Sequence, residues 1–234
     1  MINEILWFTS LVVCLFSVII AYKLFGKIGL FIWTATAVIL ANIQVFKIVK
    51  IFGLDTALGN VVYASIFLVT DILNENHSKK DAQMAVWIGF FVLISTTIIM
   101  QITLLFIPSE ADIVSDPIAE IFSLMPRIAF ASLTAYLISQ NHDVWFYSRL
   151  KKKDKNKRLW FRNNVSTIIS QLIDNIVFTS IAFIGLIPWD SIVQIFFTSY
   201  LLKVIVAGCD TPFIYLSKKI HNNYGIAFIK KRFQ

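Results

Sequence analysis

Long apolar blocks, separated by short polar segments, follow one another along almost the whole chain. Each is close to the roughly 20 residues that an α-helix needs to cross the hydrocarbon core of a membrane. Runs such as Ile94 to Ile99 do not alternate as the strands of a membrane β-barrel do. The predicted spans are Ile5 to Tyr22, Ile28 to Val49, Ala57 to Leu73, Ala82 to Ile107, Ile118 to Gln140, Asn164 to Ile187 and Ile192 to Cys209. The pattern therefore predicts an all-α integral membrane protein, a polytopic helical bundle of about seven transmembrane helices.

Composition agrees with this pattern and leaves little sequence for anything else. Of the 234 residues, 57% are hydrophobic and 15% are charged, with a mean hydropathy of +0.73, whereas about a quarter of a soluble domain is charged. We therefore expect one transmembrane domain over residues 1–234. The first apolar run has neither a basic start nor a small-residue cleavage site, so we expect it to be retained.

The charges are distributed unevenly between the predicted loops. The segment Pro108 to Pro117 carries three carboxylates and no Lys or Arg, whereas Arg149 to Arg162 carries eight basic residues. By the positive-inside rule, the basic segment is cytoplasmic. Counting outward from it places 17 of the 21 basic residues on the cytoplasmic side. We therefore predict a multi-pass protein of the cytoplasmic (inner) cell membrane, with its amino terminus outside and its carboxyl terminus in the cytoplasm.

The net charge of +7 does not by itself indicate a nucleic-acid partner, because the basic segment interleaves only Trp160 and Phe161 with its charges. Single-stranded nucleic acid is held by aromatic platforms along a basic groove, so we expect lipid headgroups and no nucleic acid. Signatures of metalloproteases, hydrolases and phosphate-binding loops are missing, and His77, His142 and His221 fall in loops or at membrane edges. The sequence thus predicts a protein that is not an enzyme and needs no metal or cofactor.

Several polar side chains fall within the predicted spans, where a charge costs at least about 2.5 to 3.5 kcal/mol. Asp174 and Lys203 are the hardest to place elsewhere, since neither reaches water from mid-span. They indicate either a structural ion pair or a polar cavity. The candidate substrate-binding residues are the charged and amide side chains of Asp71, Glu75, Arg127, Gln171, Asp174, Asn175, Lys203 and Asp210.

Other interpretations stay open for the candidates near the membrane surface. Asp71 and Glu75 share one helix face and would also suit a helix end at the level of the lipid headgroups. Arg127 could extend its guanidinium to the surface. Asn42 and Gln44 of the second span are as well suited to hydrogen bonds between helices as to a binding site.

Two prolines lie beside these charges, Pro126 directly before Arg127 and Pro212 shortly after Asp210. Each is expected to kink its helix and to free a backbone carbonyl one turn upstream. Broken helices at membrane depth are tolerated where they line a cavity. The two kinks therefore favour a permeation site, with an ordinary packing kink as the alternative.

Read together, these residues resemble the queuosine precursor transporter family, also called the vitamin uptake transporter family. The resemblance covers most of the chain apart from the first span and the tail, and it rests on the order and spacing of short motifs. These are Ile66 to Asp71 followed by Glu75; Arg127 to Ala129, Ala131-Ser132 and Ala135-Tyr136; Gln140, Asp143-Val144, Phe146 and Arg149-Leu150; Ser166-Thr167, Asp174, Phe178 and Ile181 to Phe183; and Lys203-Val204. The six-span form of this family lacks the first span. The resemblance therefore implies a single transmembrane transporter domain with six core helices plus one, divided into an additional amino-terminal helix (1–27), a core (28–216) and a cytoplasmic tail (217–234).

The resemblance implies import of deazaguanine bases, such as 7-cyano-7-deazaguanine and its aminomethyl relative, for salvage into tRNA queuosine. One carboxylate can accept the ring N–H and the exocyclic amine of a guanine-like edge together. The expected roles are Asp174 or Asp71 for that N–H edge, Gln171 and Asn175 for the ring carbonyl, and Arg127 and Lys203 for balancing the buried carboxylates.

The absence of a nucleotide-binding motif favours a secondary importer that works by alternating access. The alternative within transport is a substrate-capture subunit that docks on a separate ATP-driven module. The alternative outside transport is a membrane structural or interaction protein. The expected partners are a small-molecule deazaguanine base and the lipid bilayer, and a homo-oligomer is compatible with the sequence.

The charge asymmetry gives a testable topology. A reporter fused after Gln234 and one placed within residues 151–157 should both report the cytoplasm, whereas a reporter at Ala111 should report the outside. The measurement is the activity of a reporter enzyme that works on only one side of the membrane. Activity of the Ala111 and Lys153 fusions on the same side would contradict the seven-span arrangement.

Overall fold

A computed structural model describes the backbone of residues 2–153 and 159–232; the side chains at 140–141, 143–144, 147–148, 150–167, 207–208, 210–211 and 223–232 lie outside the description. The described chain is mainly helical, with one two-stranded sheet. In chain order the elements are α1 (Ile2–Gln44), β1 (Ile48–Ile51), β2 (Leu54–Ala57), α2 (Gly59–Asn76), α3 (Lys79–Thr103), α4 (Ser115–Phe122), α5 (Met125–Lys153), α6 (Leu159–Phe183) and α7 (Trp189–Arg232). This confirms the predicted helical architecture.

The long helix α1 is two antiparallel helices joined by a sharp turn at Gly26. Gly26 has φ 58° and ψ −140°, a conformation that side chains other than hydrogen rarely allow. Beyond the turn, a Cβ placed on Gly29 would lie only 2.1 Å from the carbonyl oxygen of Ala21, so the two halves touch. At their far ends, the amide of Asn3 donates to the Lys50 carbonyl at 2.9 Å. The first two predicted spans are therefore the two halves of α1.

The second predicted span was wrong at its end, because residues assigned to a helix up to Val49 form part of a β-hairpin. Strand β1 pairs with β2 in antiparallel register, with Ile48 opposite Ala57. Phe52 (φ 52°) and Gly53 (φ 80°) form the turn, and two positive φ values in succession match the twist of a two-residue hairpin. Hydropathy alone does not separate a short apolar strand from the end of an apolar helix, which explains the error.

Four of the described helical segments are long and apolar enough to cross a membrane: Ile2–Gln44, Lys79–Thr103, Ser115–Ser139 and Trp189–Val206. Because α1 doubles back, its two halves supply two of the crossings. The described apolar part of α6, Ile168–Phe183, is shorter. Large apolar side chains such as Phe91 and Trp87 are exposed on the outer surface of the bundle, where lipid is a better solvent for them than water. The protein is a helical membrane protein.

The structure contradicts the sequence expectation for Pro126. The predicted kink at Pro126 is instead a break between α4 and α5, and Pro126 occupies the first turn of α5. Proline is favoured there because the first turn needs no N–H donor from that residue. Helix α7 continues through Pro212 to Arg232. Helices α5 and α6 also extend into the predicted basic loop, whose side chains lie largely outside the description.

One end of the bundle, near the Gly26 turn, is tied together by polar side chains from four helices. The Tyr22 hydroxyl lies 3.1 Å from His77 Nε2 and 2.9 Å from His221 Nδ1, and we call these three residues the histidine cluster. The cluster joins α1, the end of α2 and α7. Beside it, Lys27 Nζ pairs with Asp81 Oδ1 of α3 at 2.9 Å.

At the opposite end, the hairpin is attached to the start of α7 through Asp55. The backbone N–H of Asp55 donates to Gln194 Oε1 at 2.9 Å, and its carboxylate accepts a 2.8 Å hydrogen bond from Ser191. Its carbonyl accepts a third from the Thr198 hydroxyl at 3.0 Å. Since Asn3 also bonds the hairpin, the amino terminus, the hairpin and the start of α7 share one end of the bundle.

The histidine cluster predicts a pH dependence of stability. Burial, followed by the neighbouring His221, lowers the pKa of His77 from its ordinary 6.5, with Lys27 acting in the same direction and Asp81 against it. The unfolded chain therefore takes up a proton at a higher pH than the folded one, so stability falls as pH drops through 6.5. We expect a lower melting temperature in detergent at acidic than at neutral pH, by at most about 2–4 °C from this residue because it is largely exposed.

The substitution His77→Gln, which keeps a hydrogen-bonding group beside Tyr22, should reduce this difference in melting temperature. His142→Gln is the matched control, since His142 lies on α5 away from the cluster. An unchanged pH dependence in His77→Gln would show that the cluster does not titrate with unfolding.

Candidate functional site

Five helices enclose a cavity of about 50 Å³ that combines charged, amide, hydroxyl and aromatic groups. Helices α1, α2 and α5 to α7 all contribute. The lining residues are Ala41, Asn42, Val45, Gly59, Asn60, Tyr63, Ile128, Ser132, Ala135, Asp174, Asn175, Phe178 and Lys203. Of the eight predicted binding residues, this cavity brings together Asp174, Asn175 and Lys203.

The centre of the cavity wall is an ion pair between two predicted residues. Lys203 Nζ of α7 lies 2.9 Å from Asp174 Oδ2 of α6, and the side chains are only 10% and 15% exposed. The other carboxylate oxygen, Oδ1, has a long 3.5 Å contact with the Ser139 hydroxyl of α5. Removing two charges from water costs several kcal/mol each, and a close pair offsets this cost only in part. The pair is therefore a costly arrangement for the sequence to maintain.

Helix periodicity places the lining residues on single faces. On α6, Asp174, Asn175 and Phe178 lie within one turn, and on α5 the lining positions Ile128 and Ser132 are four residues apart. Their side chains consequently project into the same space.

A close helix contact brings α2 to the same cavity. A Cβ on Gly59 would lie 2.4 Å from the Ala41 carbonyl oxygen, so no larger residue fits at this contact. Small residues at such contacts let helix backbones approach closely in membranes. The approach places Asn60 and Tyr63 of α2 beside Asn42 of α1, all three in the cavity wall.

Arg127 lies outside the cavity and caps a helix. Its Nε donates to the Ile181 carbonyl at 2.6 Å, and its Nη2 donates to the Ile184 carbonyl. These carbonyls belong to the last turn of α6 and its exit, where the backbone lacks partners and the helix dipole favours a cation. Its observed partners are thus carbonyls, where the sequence suggested a buried carboxylate.

Three other predicted residues, Asp71, Glu75 and Gln171, are also absent from the residues that line the cavity. Glu75 pairs with Lys218 of α7 at the end of the bundle that carries the histidine cluster. The hydrogen bond to Glu75 raises the pKa of Lys218. Asp71 lies one turn before Glu75 and is exposed. The Gln171 carbonyl oxygen is buried without a hydrogen-bond partner among the described residues. The side chain of Asp210 lies outside the described part of the chain.

The sequence reasoning gave no role to Asn60 and Tyr63, which both line the cavity. For Asn60 the available signal was the same as for Asn42, an amide within an apolar span. A charge in an apolar span is a stronger signal than a neutral amide, because a charge costs more to bury. Ser132 and Phe178 did appear in the motifs, although without an assigned contact.

Comparison with known proteins agrees with this picture. The sequence model of the family described as "Putative vitamin uptake transporter" matches residues 57–217. A Bacillus subtilis (strain 168) protein named "Probable queuosine precursor transporter" is 42% identical over 224 residues, which cover 95% of this chain and 98% of the relative. A Haemophilus influenzae protein of the same name is 28% identical over 159 residues, 66% of this chain and 65% of the relative. No solved structure matches.

The family match includes all or part of four of the five helices that build the cavity. The match to the Bacillus relative extends over nearly the full length of both chains. They confirm the resemblance drawn from the short motifs. The chain belongs to the vitamin uptake transporter family, also called the queuosine precursor transporter family.

Proposed function

We propose that this protein imports deazaguanine bases, such as 7-cyano-7-deazaguanine, across the cytoplasmic membrane by secondary transport. Family membership supports transport, and the name of the Bacillus relative supports a queuosine precursor as cargo. The observation that carries the proposal is the Asp174–Lys203 ion pair in the wall of a cavity shared by five helices. A purely structural bundle has no need of a charged pair beside an open space.

The ion pair matches the polar edge of a guanine-like base. That edge presents the exocyclic amine and the ring N–H as donors, followed by the ring carbonyl as an acceptor. A carboxylate accepts the two donors side by side, and a neighbouring ammonium donates to the carbonyl. Asp174 and Lys203 stand in this order 2.9 Å apart. The base would insert its edge between Asp174 and Lys203. Each of the two charged groups would then exchange its ion-pair partner for hydrogen bonds to the base.

Aromatic side chains complete the recognition of a flat heterocycle. Phe178 of α6 and Tyr63 of α2 both line the cavity. Stacking of a base on an aromatic ring contributes about 1–3 kcal/mol. The binding energy would therefore come from both the edge and the faces of the base.

The small volume of the cavity indicates that the bundle is closed around it. About 50 Å³ accommodates a few water molecules, whereas pockets for drug-sized ligands measure about 300–1,000 Å³. The surrounding helices must separate to admit a base. Alternating access does this by opening the bundle at one end at a time. We assign the end with the amino terminus and the hairpin to the outside, and the end with the histidine cluster to the cytoplasm.

Asp174→Asn tests the site in a strain that cannot make queuosine but can process its precursors. Asparagine keeps the volume but replaces one acceptor oxygen with a donor, which opposes the N–H edge of the base. Uptake of labelled precursor, normalised to membrane-inserted protein, should fall more than tenfold, equivalent to about 1.4 kcal/mol or more. Queuosine in tRNA at low external precursor should fall in parallel. Asp190→Asn, an identical change at the exposed start of α7, is the matched control and should transport normally.

A double variant separates binding from folding, since Asp174→Asn alone leaves Lys203 buried without its counter-charge. Adding Lys203→Met removes this charge and should restore expression and thermal stability. If the pair binds cargo, the double variant stays inactive. Recovery of uptake together with stability would instead establish a structural ion pair and remove Asp174 from the substrate site.

Energy coupling distinguishes the two forms of transport. The purified protein, alone in liposomes with an imposed proton or ion gradient, should accumulate labelled precursor, because a secondary transporter needs no other component. Liposomes without a gradient are the control and should only equilibrate. Accumulation that requires an added ATPase module would favour the substrate-capture alternative. The absence of binding as well as uptake would favour a structural role.

A further inference from the structure

Three asparagines from three different helices line the cavity, and each is anchored by its amide nitrogen. Asn42 Nδ2 donates to the Val38 carbonyl at 2.7 Å, and Asn175 Nδ2 donates to the Phe196 carbonyl at 2.8 Å. Since each of these partners is a backbone carbonyl, the nitrogen must be the anchored atom in both side chains. Their carbonyl oxygens are therefore directed away from the anchoring groups.

Asn60 is the most constrained of the three. Its Nδ2 donates both to the Ala57 carbonyl at 3.0 Å and to the Ser199 hydroxyl at 2.8 Å. An amide nitrogen carries two hydrogens, so both donors of Asn60 are used by the protein. Its carbonyl oxygen is consequently the only hydrogen-bonding group that this side chain can offer to a guest.

The three carbonyl oxygens receive no hydrogen bond from any group that the structure describes. Among the side chains that the structure describes, none donates a hydrogen bond to Oδ1 of Asn42, Asn60 or Asn175. Asn42 and Asn175 are buried and Asn60 is half-buried, and all three residues line the cavity. The residues that line the cavity thus supply three amide oxygens and the Asp174 carboxylate as acceptors, and the Lys203 ammonium is the one obligate donor among the described lining side chains.

We infer that Asn60 is a specificity-determining residue, and that its carbonyl oxygen, supported by Asn42 and Asn175, selects cargo with a donor-rich polar edge. The inference rests on the proposed function and adds the basis of selectivity. A base with an exocyclic amine beside a ring N–H supplies several hydrogens to these acceptors. An analogue without the amine leaves at least one acceptor unpaired in a water-poor site, which sites of this kind reject strongly.

This assigns Asn175 an acceptor role, where the sequence suggested that it would donate to the ring carbonyl. Lys203 remains the group that donates to that carbonyl. The division of roles follows from the anchored nitrogens, which no pattern in the sequence reveals.

The test is competition against uptake of labelled 7-cyano-7-deazaguanine in proteoliposomes. The competitors are the unlabelled compound and 7-cyano-7-deazahypoxanthine, which differs by lacking the exocyclic amine. We expect the first to compete at least tenfold better with the unsubstituted protein. Asn60→Ala should reduce this ratio to below threefold, mainly by weakening the amine-bearing compound.

Two further variants keep the result interpretable. Asn60→Ala also loses two hydrogen bonds to the protein, which could impair its folding. Asn42→Ala loses only one bond, within its own helix, and serves as the second variant. It should reduce the competition ratio of the two compounds by less than Asn60→Ala does. Asn74→Ala is the matched control, because Asn74 is exposed on the same helix as Asn60. It should leave the ratio unchanged.

The outcomes distinguish this inference from the proposed function. Uptake with equal competition by both compounds would overturn the inference and leave the proposed function standing. An unchanged ratio in folded Asn60→Ala and Asn42→Ala would assign the selectivity to Asp174 alone and also overturn it. A protein that takes up no deazaguanine at all would refute the proposed function, and this inference with it.

Discussion

The buried ion pair between Asp174 and Lys203 is the constraint around which the bundle is arranged. Two charges at this depth are tolerated only when they neutralise each other, so α6 and α7 must keep a fixed register. That register places Asn175 and Phe178 in the same cavity wall. Replacement by apolar residues would often be neutral or better for stability alone. The pair's place in the wall of a small cavity is the basis of the proposed cargo recognition.

The two ends of the bundle are closed by different chemistry. At one end, Asp55 anchors a β-hairpin to the start of α7 through three hydrogen bonds. At the other, Tyr22 holds His77 and His221 together. Helix α7 takes part in both closures and also carries Lys203. A movement of α7 relative to α1 and α2 would thus affect both ends and the cavity together, as the proposed alternating access requires.

Neutral polar residues complete the site in a way that charge alone does not. The anchored amides of Asn42, Asn60 and Asn175 supply acceptors without adding further charge to the membrane interior. In hydrocarbon, a neutral amide costs far less to bury than a carboxylate. A single ion pair surrounded by amides can therefore offer a directional hydrogen-bonding pattern while the total charge in the cavity stays at zero.

The sequence by itself determined the helical membrane class, the family, and the isolation of Asp174 and Lys203 within apolar spans, because hydropathy and the cost of burying charge act locally along the chain. It did not determine that Val49 belongs to a hairpin or that Pro126 begins a helix, since short apolar runs and prolines are compatible with more than one backbone. Only the tertiary structure decided that Arg127 caps α6 and that Asn60 faces the cavity. Partners such as these come from distant parts of the chain, and their choice depends on helix packing, which no single segment encodes.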